Sequence, residues 1–199
     1  MISTTTERAP ERRPSARRRL LDAAGELFYA EGVQSVGIER VIETAGVAKA
    51  ALYNTFGSKE ALVRAYLDER HAETADRLTA AVAAAKTPRE AIVAVFAAQA
   101  ELFTQPDFRG CAFVAASSEA PRGGLVEQGA DEYRASIRTL FHDLAVHAGA
   151  SDPDMLAAQL QLIYDGAGLS ARMDHRPDVA DPARAAVNAL LDAQLPTTP

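Results

Sequence analysis

The sequence predicts an all-α protein of about nine helices, and three observations carry that expectation. Of the 199 residues 48% are hydrophobic, with Ala as the recurring filler and almost no β-branched runs, which favours packed helices over sheet. Helix start signals recur. Thr87-Pro88, Asp152-Pro153 and Asp181-Pro182 each join a capping side chain to a Pro placed at the first helical position. Between such marks apolar residues return every three or four positions, the period of a helix with one buried face.

The first helix is expected over about residues 16–30, with Leu20, Ala24, Leu27 and Phe28 on one stripe and Gly32 as its end. A second begins near Gly37, a cap that costs only a few tenths of a kcal/mol relative to a hydroxyl. It spans the apolar segment Ile38 to Ala45. Gly46 then closes it cheaply by taking positive φ, and a third short helix follows. Two short helices about a tight Gly turn form the helix-turn-helix pattern. On the second of the pair, Val47, Leu52 and Phe56 are assigned to the core. Lys49, Ala50, Ala51, Tyr53, Asn54 and Thr55 are left outside. That face offers a cation, small residues, hydroxyls and an amide, which suit a DNA major groove.

Ser58 caps a long fourth helix running to about residue 85, with Leu62, Tyr66, Leu67, Leu78 and Val82 on its apolar faces. Thr87-Pro88-Arg89-Glu90 adds a capping-box Glu to its start signal and opens a fifth helix, expected to about residue 105. After a break at 106–110, a short sixth helix opens around Cys111 and must end before Pro121. The Arg122-Gly123-Gly124 turn releases the seventh. Its stripe of Tyr133, Ile137, Leu140, Phe141 and Leu144 is cleanly amphipathic, and Gly149 closes it. The eighth and ninth start at the two Asp-Pro signals and carry Leu156, Leu160, Ile163 and Ala167, then Ala183, Val187, Leu190 and Leu191. The expected organisation is a basic arm at 1–14, a helix-turn-helix domain at 15–60 and a larger helical domain at 61–199.

The net charge of −6 argues against nucleic acid until its distribution is examined. Residues 1–60 hold nine Lys and Arg against eight Asp and Glu, whereas residues 61–199 hold twelve against nineteen, so the acidity belongs to the second part. Within residues 1–20 six Arg (8, 12, 13, 17, 18 and 19) face Glu7 and Glu11, a net of +4. Such an arm either lies along phosphates, releasing counterions, or is a solvated tail that orders on DNA. No apolar stretch approaches the ~20 residues of a membrane span and the N-terminal segment has no hydrophobic signal core, so the cytoplasm is expected. Cys111 is the single cysteine, which leaves no intrachain disulfide; it reads as a buried small hydrophobe or a redox thiol.

No catalytic constellation is visible: there is no Gly-x-Ser-x-Gly elbow, phosphate-cradling Gly loop or His-Glu-x-x-His helix. His71, His142, His147 and His175 are scattered, and the five-residue gap of the 142/147 pair suits no metal on one helical face. No enzyme activity, cofactor or metal is expected.

From Ala16 to Tyr66 the sequence resembles the TetR family of bacterial one-component regulators. The resemblance rests on Leu20-Leu21 with Ala24, Leu27-Phe28, Glu31-Gly32, the 38–45 helix, Gly46-Val47, Leu52-Tyr53, Phe56 and Ser58-Lys59-Glu60-Ala61-Leu62. Gly37 stands where such sequences usually carry Thr or Ser. Ala50 and Ala51 likewise stand where many relatives have Gly and Thr or Ser.

The resemblance implies that Tyr53 and Lys59 bind phosphates, while Lys49, Ala50, Ala51, Asn54 and Thr55 face base edges of a double-stranded operator. It implies a twofold homodimer in which the last two long helices pair with their mates through Leu156, Leu160, Ile163, Ala167, Val187, Leu190 and Leu191. The other possibility is that these residues complete the monomer core. It further implies a pocket for a small, mostly apolar inducer, with Phe96, Gln99, Phe103, Phe113, Tyr133, Phe141 and Tyr164 as lining candidates. Gln99 interrupts the Ile92, Phe96, Phe103 stripe and either binds a ligand or bonds a neighbouring helix. The expected function is ligand-released repression. The alternative is a helical interaction protein with a vestigial DNA-binding half, for which Glu39 and Glu43 near the groove speak.

Overall fold

The computed structural model describes residues 14–196; the segment 1–13 of the expected arm, with Arg8, Arg12 and Arg13, lies outside the described residues. Among the described residues nine α-helices follow one another: α1 (Ala16–Glu31), α2 (Ile38–Ala45), α3 (Lys49–Phe56), α4 (Lys59–Ala84), α5 (Pro88–Phe103), α6 (Ala112–Glu119), α7 (Leu125–His147), α8 (Pro153–Asp174) and α9 (Ala180–Gln194). There is no strand among the described residues. The protein is all-α, with α1 to α3 packed together at one end and α4 running from them into the bundle of α5 to α9.

The start signals act as their chemistry requires. The side chains of Ser15, Ser58, Thr87 and Asp152 accept the backbone N–H of Arg18, Ala61, Glu90 and Met155, each satisfying one of the donors a helix start leaves open. Glu90 reaches back to the Lys86 N–H at 2.9 Å, which completes the box one residue further out than the usual pairing. Gly46 sits at φ 60°, ψ 45°. Its N–H bonds Glu43 O and the Val47 N–H bonds Ile42 O, a paired closure that only a left-handed residue permits at that turn.

Helix α9 departs from expectation. It does not begin on an Asp181 cap: a 3-10 turn at Pro177–Val179 feeds it directly, so Val179 is already helical and occupies the cap position without a side-chain bond. Asp181 therefore lies inside the first turn, where it accepts from Arg184 at 3.0 Å. Pro182 is tolerated there because first-turn N–H groups have no helical acceptor.

One continuous core joins both ends of the molecule, from Leu20, Leu52 and Leu62 to Phe141, Leu156 and Leu191. This corrects the expected dimer contacts. Leu156, Leu160, Val187 and Leu191 are wholly covered by their own chain, Ala167 packs with Phe103 and Ala171 in a smaller cluster, and Ile163 and Leu190 are partly covered by the main core. The stripe read as a dimer seam is the inward face of α8 and α9. The outward apolar face of α8 is a different one, made by Met155, Leu162, Leu169 and Met173, each more than half exposed. Periodicity locates an apolar stripe but does not say which of two stripes the monomer itself uses.

Candidate nucleic-acid interface and cavity

Helix α3 is anchored by a single fully buried residue, Leu52, with Val47 and Phe56 partly buried beside it. Lys49, Ala50, Tyr53, Asn54 and Thr55 are exposed, whereas Ala51 is half turned inward. The Thr55 hydroxyl donates to Ala51 O at 2.6 Å, so its proton is spent within the helix and only its lone pairs face outward. Lys49 Nζ donates to Glu39 Oε1 of α2 at 2.7 Å. That bond holds the Glu39 carboxyl below, and the Lys49 ammonium above, its usual range. Lys59 is the first residue of α4, directly behind the Ser58 cap, whose side chain accepts the Ala61 N–H; a helix start is the end of a helix that favours an anion.

Helix α1 holds this unit in place. Arg19 Nη1 donates to Ala45 O at 3.1 Å and Gly46 O at 2.8 Å, fixing the turn between α2 and α3. Arg17 lies 5.6 Å over the Phe56 ring, and Arg18 bonds Asp22 and Glu69. Three of the six expected arm arginines thus belong to the folded unit.

A model of bacterial regulatory proteins of the tetR family matches residues 20–66, the span of α1 to the early part of α4. The chain is 31% identical over 156 residues to the HTH-type transcriptional regulator BetI of Rhizobium meliloti, covering 77% of this chain and 76% of that one. The chain belongs to the TetR family. A TetR-family transcriptional regulator from Streptomyces coelicolor superposes at a TM-score of 0.85 with 30% identity, over 89% of this chain and 95% of its own. A structure from Streptomyces avermitilis does so at 0.82 with 35% identity, over 90% and 98%. These relatives are transcriptional regulators, and this TetR-family chain is a regulator rather than an enzyme.

The regulator contains a half-open cavity of about 900 Å³ bounded by α4, α5, α6, α7 and α8. Of the expected lining, Gln99, Phe103, Phe113, Tyr133 and Tyr164 are present. Phe96 and Phe141 are not: their rings stack at 5.5 Å inside the core. Phe113 and Tyr133 stack at 3.8 Å to make one wall, with His71 edge-on to both and bonded to Ser136 at 2.9 Å. Gln99 Nε2 donates to Tyr164 O at 2.9 Å, so the interrupted stripe does bond a neighbouring helix. Its Cβ-less neighbour Gly168 makes room, since a Cβ there would stand 3.3 Å from Nε2.

What sequence reading missed is charge. Arg70 and Arg77 of α4 line the cavity, as does Glu73. A helix carrying Arg at 70 and 77 reads as a solvated face, and nothing local reveals that both line a cavity. Burial pushes the Tyr133 phenol far up, with the neighbouring Tyr164 adding to it. Burial likewise raises Tyr164, against the hydrogen bond from Tyr133 and the charge of Arg77. Both stay neutral. Cys111, also on the lining, is pushed up by burial against hydrogen bonds from the Val114 and Phe113 backbone, which keeps it an unreactive thiol.

Two contacts tie the cavity to the helix-turn-helix end. Tyr29 of α1 lines the cavity; its hydroxyl accepts from the Arg109 N–H at 2.9 Å and donates to Gly110 O at 3.2 Å. Glu119 at the end of α6 accepts the Gln34 N–H at 3.0 Å, and the Gln34 side chain donates to Glu119 O at 3.1 Å. Among the described residues no helix is long and apolar enough to cross a membrane.

Proposed function

We propose that this TetR-family regulator binds a palindromic DNA operator as a homodimer, represses by occupying it, and is released by a small molecule held in the cavity. The observation that carries this reading is the sharing of α1 and α6 between two places. Tyr29 and Glu119 touch the cavity, while Arg19 and Gln34 belong to the helix-turn-helix end. A ligand that displaces α6 or the 109–110 turn therefore acts on the seating of α2 and α3.

Lys59 and Tyr53 are assigned to phosphates. Lys49 and Asn54 are assigned to base edges, the first to guanine acceptors and the second to adenine, with Ala50 against thymine methyls. The dimer face is assigned to Met155, Leu162, Leu169 and Met173 of α8, an exposed apolar patch of the kind that soluble chains cover. Ala185, Ala186, Ala189 and Ala193 on the exposed side of α9 allow close approach beside it. A twofold axis there presents two recognition helices to half-sites about one helical turn, ~34 Å, apart.

Ligand and operator then compete through conformation. Full reversal from bound to free requires the ligand to prefer the non-binding state by about 5.5 kcal/mol. The coupling is reciprocal, so operator DNA weakens ligand binding by the same factor. Selection of bound sequences from a random DNA pool, at near-physiological salt, tests the reading: recovery of one palindromic motif supports it. Recovery of no motif by folded, dimeric protein favours the alternative of a vestigial DNA-binding half.

A further inference from the structure

The charged groups on the cavity lining do not balance locally. Of its carboxylates, Glu73 accepts from Arg70 at 3.2 Å, Asp165 from Arg134 at 2.7 Å and Glu119 from the Gln34 backbone, while Asp107 is exposed at the rim. Arg77 has no carboxylate partner among the described residues. Its only hydrogen bond there is a long one, 3.4 Å, to the Thr74 hydroxyl, and its Nε is buried without a partner among the described residues, as is the Nε of Arg19. A buried guanidinium nitrogen without an acceptor is costly, and unlike Arg19, whose Nη1 bonds Ala45 O and Gly46 O, Arg77 makes no backbone hydrogen bond among the described residues that offsets it.

Around this cation the wall is polar and more than nine-tenths buried. Gln99, Tyr133 and Tyr164 are 7%, 8% and 5% exposed. Gln99 uses its amide N–H on Tyr164 O, which leaves its Oε1 without a partner among the described residues and turned to the cavity. The two phenols adjoin each other, with Arg77 close enough to bias Tyr164. Apolar lining comes from Phe103 and Phe108, 5.3 Å apart, from Leu102, and from Phe113, whose ring stacks on Tyr133. The cavity thus combines cationic and hydrogen-bonding groups with apolar rings.

We propose that the ligand is an amphiphilic monoanion, a carboxylate on an apolar body, with its acid group on Arg77 beside Tyr133 and Tyr164 and its body along Phe103, Phe108 and Phe113. This rests on the cavity being the inducer site and sharpens the apolar inducer expected from sequence. A charge-assisted bond to Arg77 supplies the carboxylate partner that the described residues withhold, and the Tyr164 hydroxyl, which accepts from Tyr133, donates to the second oxygen.

The test is calorimetry on the full chain with 2-naphthoate and octanoate, each beside its neutral amide, and with benzyltrimethylammonium. At least one acid should bind about tenfold or more tighter than its amide. Arg77→Gln should erase that preference while leaving amide binding unchanged, and Arg77→Lys should retain part of it. Unliganded Arg77→Gln should unfold at a temperature no lower than the parent; marked destabilisation would make Arg77 a structural residue and overturn the proposal. Amides or the ammonium binding as tightly as the acids would overturn the acid assignment while keeping the cavity as the ligand site. No binding by any probe, in protein that still binds DNA, would overturn both.

Discussion

Lys49 on the outer face of α3 is bonded to Glu39 of α2, Nζ to Oε1 at 2.7 Å. The cation best placed to read guanine is thus held by a carboxylate of the preceding helix, and both groups are largely exposed. Entry into a groove has to exchange this bond for one to DNA, and Glu39 then stands near phosphates. Glu39→Gln should therefore tighten DNA binding about two- to fivefold and relax discrimination at the base facing Lys49. Fluorescence anisotropy on specific and scrambled duplexes at fixed salt measures both, and unchanged affinity would show that the pair has no bearing on the interface.

Lys59 and Asn54 should separate positioning from specifying. Lys59→Ala should weaken binding almost uniformly across sequences and reduce the slope of log affinity against log salt by about 1. Asn54→Ala should leave that slope alone and change the preferred site. If Lys59→Ala changed neither affinity nor slope, its assignment to a phosphate would be wrong.

The two faces of α8 should behave oppositely. Leu162→Glu with Leu169→Glu places charge on the exposed face and should give a folded monomer with operator affinity reduced tenfold or more, read by sedimentation and anisotropy. Leu160→Ala hollows the inner face. It should cost about 2–5 kcal/mol of stability without changing the oligomeric state. Dimers surviving the double change would move the interface elsewhere.

Alkaline pH should destabilise the fold through the cavity wall. Burial raises Cys111, Tyr133 and Tyr164, so the unfolded chain loses these protons at lower pH than the folded one. Their contribution is complete below the ordinary thiol range and falls as pH rises through it, from about pH 8.5 for Cys111 and about pH 10 for the phenols. Melting temperatures measured between pH 7 and 10.5 should decline from the lower value in the parent. In Cys111→Ala the decline should start only near the phenol range; an identical onset would remove Cys111 from the explanation.

Helix starts were legible in the sequence because caps are local chemistry: Ser15, Ser58, Thr87 and Asp152 all bond the N–H groups their positions demand. Asp181 was misread for the same reason in reverse, since the 3-10 turn ahead of it is set by how the chain leaves α8 rather than by the Asp-Pro pair. The outward residues of α3 followed from three inward ones, Val47, Leu52 and Phe56. The cavity was legible only as aromatic residues and Gln99. Which of them line it depends on how α5, α7 and α8 rotate against each other, and Phe96 and Phe141 were turned into the core by their own stacking. Arg77 could not be recognised as unpaired, because lacking a partner is a property of everything around it.

The separation of charge along the chain has a kinetic consequence. Lys49, Lys59 and Arg17 sit at the end formed by α1 to α4, while residues 61–199 carry nineteen acidic against twelve basic side chains. Residues 1–60 carry a net charge of +1 and residues 61–199 a net −7, so the part that holds α3 is the less acidic one. In the field of a polyanion such a body turns before it touches, so that collisions arrive recognition-helix first and the acidic bundle is kept pointing away. Faster capture of DNA at low ionic strength, fading as salt shortens the reach of that torque, is built into the way the charges are shared between the two ends.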